Sequence, residues 1–139
     1  MSQELVPLSK PSTALAPEEE RLWVLACHLS PFAGYVVPFG NVIAPLMVWM
    51  FKREASEAVN LHGKESVNFQ ISLTIYVSVL AALFGVGIVI PIFGWAVALV
   101  TLPLLVGVAM WGLVVQVVAA IKANDGQPYS YPLTLRFLT

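Results

Sequence analysis

The sequence predicts an all-α membrane protein of four transmembrane helices folded as two helical hairpins, and three observations carry that reading. The chain is 58 % hydrophobic but only 11 % charged, where an ordinary soluble domain carries about 25 % charged residues, so the apolar surplus has to face lipid. No Asp, Glu, Lys or Arg occurs in residues 22–51 or 66–121, uncharged runs of 30 and 56 residues. A spanning helix needs about 20 apolar residues at about 1.5 Å of rise each, so the longer run must hold more than one crossing.

Residues 1–17 are polar and carry Pro7, Pro11 and Pro17, which reads as a disordered cytoplasmic arm. The first apolar run follows Glu18, Glu19 and Glu20, where a secretory signal needs a basic flank. Proline in the first turn and carboxylates at the positive end of the dipole start a helix, here expected over Pro17 to Val37. Pro38-Phe39-Gly40-Asn41 breaks it, and a shorter helix is expected from Asn41 to Phe51. As one helix the 30-residue run would be about 45 Å long, yet it is short for two crossings of a core about 30 Å thick. The first hairpin is therefore short and partly re-entrant, or the run is one bent span. Pro91-Ile92-Phe93-Gly94 divides the longer run into a third helix, Ser66 to Ile90, and a fourth, Gly94 to Ala123. Pro103 is expected to kink the fourth, and Asn124-Asp125-Gly126 to stop it. Residues 18–123 thus form the membrane domain. Residues 124–139 form a cytoplasmic or interfacial tail, whose alternation predicts a short extended segment lying on the membrane or on a partner's edge.

Charge placement favours two hairpins. In that arrangement all seven Lys and Arg residues lie on one side of the membrane with all eight acids, as the positive-inside rule prefers. Both termini and the loop from Lys52 to Glu65 are then cytoplasmic, in a multi-pass protein of the cytoplasmic membrane. The net charge of -1 and the lack of a basic stripe give no nucleic-acid signal. Cys27, the single cysteine, has no partner for a disulfide or a zinc site and reads as a small buried hydrophobe. No cofactor or metal is implied.

Helices in lipid associate through small residues and polar bonds across the contact. Thr74, Ser78, Ala82 and Gly85 form one stripe of the third helix, and Gly112, Gln116 and Ala120 a comparable stripe of the fourth. The two are expected to pack on each other. His28, Asn68, Gln70 and Gln116 fall at similar depth in the cytoplasmic half and form a candidate polar cluster, a shallow binding site if open to the cytoplasm. Against it stands a simpler reading, in which each bonds a neighbouring carbonyl and fixes helix register. His62, Lys64 and Glu65 lack a second carboxylate, a nucleophile or a metal-spaced histidine in sequence, and no hydrolase, zincin or nucleotide-binding motif occurs. The expected function is a non-enzymatic assembly or scaffold component that binds itself or other membrane proteins within the lipid bilayer. The alternatives are a subunit of a protein- or solute-translocating complex and a membrane-embedded lipid or ligand binder.

His28-Leu29-Ser30 with Gly34 and Pro38, then His62 through Gln70, then Ala123-Asn124-Asp125-Gly126 leading to Tyr131-Pro132-Leu133-Thr134, resemble a bacterial family of small membrane proteins. That family carries a domain of unknown function and is similar to the twenty-kilodalton Tic subunit of the chloroplast inner-envelope importer. The resemblance covers about Glu18 to Phe137. It implies four transmembrane helices and a bacterial cytoplasmic membrane, and it brings no catalytic residues. The family also looks related to the magnetosome membrane protein MamF, whose role lies in crystal formation. No acidic, iron-binding external loop is visible here, so that role is not carried over from the sequence.

Overall fold

Ala16 enters in an extended conformation and Pro17 starts α1 (Pro17–Leu29), with three glutamates in its first turn where they offset the helix dipole. The computed structural model describes residues 15–139; the arm expected over residues 1–17 falls mostly outside them. α1 stops at Leu29 rather than reaching Val37. Pro31 brings no N–H to the helical ladder, and Ser30–Tyr35 winds into a 3-10 turn instead. Phe39, at a φ of 59°, reverses the chain into α2 (Gly40–Lys52), with Pro45 inside it.

The loop expected from Lys52 to Glu65 is reduced to four residues, because α3 (Glu57–Val89) starts nine residues before Ser66. The Ser56 hydroxyl accepts from the Val59 N–H at 3.1 Å, an N-terminal cap that makes the polar stretch helical. Ile92, at a φ of 65°, turns the chain into α4 (Phe93–Asn124). The Asp125 N–H returns to Ile121 and Lys122 carbonyls at 3.1 Å, and Gly126 at a φ of 70° takes the chain out of the helix.

α3 and α4 are each long and apolar enough to cross a membrane. At 13 residues each, α1 and α2 are about 20 Å long, short of a core about 30 Å thick. Of the four crossings expected, two are thus met by helices of spanning length. Tyr35 and Phe39, near the tip of the first hairpin, line a groove with Val77, Ser78 and Ala109. That tip stops about 17 Å short of the far end of α3, eleven residues along it.

Polar contacts gather the ends of all four helices. Arg21 Nε donates to Asn124 Oδ1 at 3.1 Å, Lys52 Nζ to Glu19 at 3.2 Å, and Ser56 Oγ to Glu20 at 2.6 Å. Beside them lies an apolar cluster of Val24, Cys27, Val59 and Ala123. A second cluster, Phe69, Val115, Ala119 and Tyr131, packs on Leu73, Trp111 and Tyr129. Beyond these clusters the surface of α3 and α4 is mostly exposed apolar side chains, as expected of helices solvated by lipid.

The contact between α3 and α4 differs from the stripe-on-stripe packing expected. Gly112 and Ala120 are buried, but Ser78, Ala82 and Gly85 are exposed, and a Cβ at Gly85 would meet nothing within 4 Å. The close approaches fall at Gly112, where a Cβ would lie 2.8 Å from Leu73, and at Gly87, where it would lie 2.7 Å from the Gly94 carbonyl oxygen. The helical rotation that buries Phe69 and Gln70 against α4 turns the Thr74-to-Gly85 stripe toward the first hairpin, which ends before covering it.

Candidate functional site

The four residues expected as one polar cluster are all buried but divide among three networks. His28 lies at the centre of the first. Its Nδ1 is 2.8 Å from the Tyr131 hydroxyl, and its Nε2 is 2.8 Å from His62 Nδ1. Burial pushes the Tyr131 phenol above its ordinary range, so it remains protonated. The order that gives every atom a role is Tyr131 O–H donating to His28 Nδ1, and His28 Nε2–H donating to His62 Nδ1. Tyr131 also stacks on Phe69, with ring centroids 4.1 Å apart. Its N–H donates to Glu65 Oε2 at 3.2 Å, while Glu65 Oε1 pairs with Arg136.

Asn68 belongs to a second network, which binds the C-terminal tail to α3 of the same chain. Its Oδ1 accepts from the Phe137 and Leu138 N–H groups at 3.0 and 2.8 Å, and its Nδ2 donates to the Leu138 carbonyl at 2.9 Å. Ser72 Oγ accepts from the Leu135 N–H at 2.8 Å. Tyr76 donates to the Leu133 carbonyl and Lys64 to the Thr139 main-chain oxygen, both at 2.9 Å. Leu133, at a φ of 55°, is where the tail reverses before running back along this stripe.

Gln70 and Gln116 form the third network with Asn41 and Thr74. Gln70 Nε2 donates to Gln116 Oε1 at 3.0 Å. Asn41 Nδ2 donates to Thr74 Oγ1 at 2.9 Å and reaches Gln70 Oε1 at 3.5 Å. These four residues line a groove of about 360 Å³ between the first hairpin, α3 and α4. A separate crevice of about 360 Å³ at the charged end is lined by Glu20, Arg21, His62, Asn124 and Asp125 among others. Among the described residues, no three His, Cys, Asp or Glu side chains are grouped to hold a metal ion.

Three contributors escaped the sequence reading. Asn41 was legible only as a turn residue and Tyr131 only as part of the family resemblance, because their partners lie 33 and 103 residues away. Ser72 carried a usable signal: with Lys64, Asn68 and Tyr76 it completes a four-residue polar repeat on one helix face.

Neither the search of curated proteins nor that of solved structures returned a match. A family model described as the magnetosome magnetite crystal formation protein family matches residues 19–138. That span takes in both hairpins and the strapped tail. It is the magnetosome side of the resemblance that this match bears out; the importer side has no counterpart in these comparisons. The chain belongs to the magnetosome magnetite crystal formation protein family, MamF/MmsF.

Proposed function

We propose that this chain is a non-enzymatic assembly component of the membrane in which its family's magnetite forms, associating with itself or with other integral membrane proteins there. The observation that carries the reading is the free small-residue face of α3. Ala82 and Gly85 are exposed, on the stretch of the helix that the first hairpin does not reach. In lipid, such a face lets a second helix approach closely enough for dispersion contacts to hold it. The internal engagement of His28, His62, Glu65 and Asn68 supports a scaffold over a catalyst, since those side chains join this chain's own elements.

In this reading the α3–α4 hairpin crosses the bilayer fully, the first hairpin enters from the charged side, and both termini face the cytoplasm. The gathering of Arg21, Lys52, Lys64, Lys122 and Arg136 near one end, with the positive-inside rule, supports that orientation. The membrane is the cytoplasmic membrane or one continuous with it. Ala82→Cys chains in native membranes should crosslink to one another or to a neighbouring membrane protein, and affinity capture in mild detergent should recover the same species. A strictly monomeric chain that contacts no other protein overturns the proposal. The groove beside Asn41 and Gln116 favours a second reading, a subunit of a translocating complex. That role requires several copies to join their polar walls, and crosslinks from Gln116 to a substrate in transit would establish it.

A further inference from the structure

Thr74 fixes the direction of the amide chain on the groove wall. Its hydroxyl proton goes to the Gln70 main-chain oxygen at 2.7 Å, so its oxygen accepts from Asn41 Nδ2. The same Asn41 amide donates to Gln70 Oε1, which leaves Gln70 Nε2 to donate to Gln116 Oε1. The amide nitrogen of Gln116 is then the unused end. Gln116 is only 5 % exposed and lines the groove, and its one hydrogen bond among the described residues is through Oε1. Among the described residues Ser30 Oγ is the one fully buried side-chain nitrogen or oxygen without a partner, so Gln116 Nε2 keeps an opening to the groove, where an N–H left without an acceptor is costly because water is scarce.

Depth and shape specify what supplies the acceptor. Gln70 lies six residues inward from Lys64 and Gln116 six inward from Lys122, about 9 Å below the cationic level. From there the groove runs along α3 to Ser78, about 12 Å deeper, between apolar walls that include Leu73, Val77, Ala109 and Leu113. Its volume of about 360 Å³ falls in the range of small-molecule sites, about 300–1,000 Å³. The fitting molecule has a neutral oxygen acceptor just inside the head groups and an apolar body that continues inward. We infer that the groove holds an acyl chain of a diester phospholipid, with an ester carbonyl oxygen accepting from Gln116 Nε2. The site does not rest on the assembly reading, whose Ala82–Gly85 face lies deeper along α3.

The test sets ester against ether. The full chain is reconstituted in nanodiscs made of equal parts diester and diether phosphatidylglycerol, and the lipid retained after transfer to mild detergent is identified by native mass spectrometry. The wild-type chain should retain the diester form about fivefold over the diether, the worth of one net hydrogen bond, and Gln116→Leu should bring the ratio to parity. Ala109→Trp, on an exposed part of the wall, should displace the lipid while leaving the helical signal intact, and it serves if Gln116→Leu does not fold. Equal retention of both lipids by the wild-type chain overturns the inference, as does no retained lipid or undiminished retention by Ala109→Trp.

Discussion

His28 is bonded at both ring nitrogens, so its removal strands two partners. His28→Leu leaves the Tyr131 hydroxyl and His62 Nδ1 without their bonds, and each buried orphan costs about 1–3 kcal/mol. Tyr131→Phe strands only His28 Nδ1 and keeps the ring stacked on Phe69. Thermal unfolding in detergent should therefore place His28→Leu well below Tyr131→Phe, and equal midpoints would show that the three side chains do not act as a chain of bonds. Gly63 offers a second contrast. A Cβ there would lie 2.5 Å from Trp49 Cδ1 and 2.7 Å from Trp49 Cβ, and the Trp49 indole is held by its bond to Asn60 at 3.0 Å. Gly63→Ala should destabilise by about 1–3 kcal/mol through overpacking, whereas Gly85→Ala, with open space around it, should change stability by less than about 0.5 kcal/mol. The candidate residues His28, Asn68, Gln70 and Gln116 were legible as polar groups too costly to leave unpaired in lipid. Which one meets which was not, because that depends on rotations and depths that no local pattern records.

At the scale of the element, the tail and α3 fit by a match of repeats. Four helical residues rise about 6.0 Å and two extended residues about 6.6 Å, so Lys64, Asn68, Ser72 and Tyr76 meet main-chain groups near residues 139, 137, 135 and 133 in antiparallel order. This is how an extended segment lies against a membrane helix with its backbone groups satisfied. Asn68 makes three of these bonds. Asn68→Leu should free the last residues and speed their removal by carboxypeptidase about tenfold or more, with Ser72→Ala giving a smaller effect. A digestion rate unchanged from wild type would mean that the tail is held by other means. The alternation of the tail announced an extended conformation. It did not announce the partner, since Asn68, Ser72 and Tyr76 lie 57 to 70 residues from the main-chain groups they meet and no local pattern pairs them.

The whole molecule is polarised, with charged and packed residues at one end and an apolar, lipid-solvated hairpin at the other. Single cysteines placed at Glu18, Glu54 and Pro91 in a Cys27→Ala background test that arrangement. An impermeant thiol reagent should reach the first two from one compartment and the third from the other. Labelling of positions 18 and 54 from opposite sides would replace the first hairpin with a single crossing.

The sequence by itself determined that the chain belongs in lipid and where it turns, because uncharged runs, prolines and charge placement act locally and add along the chain. It also carried the prediction that the ionised groups collect at one end. Only the tertiary structure decided how far the first hairpin reaches, which face α3 turns to α4, and that the tail straps its own helix. The 3-10 turn at Ser30–Tyr35 and the reversal at Phe39 end the first hairpin, while the other two outcomes follow from packing around Phe69, Gly87 and Gly112. Helix rotation there is set by which side chains interdigitate, and a shift of one residue along the helix, about 100°, would present a different face.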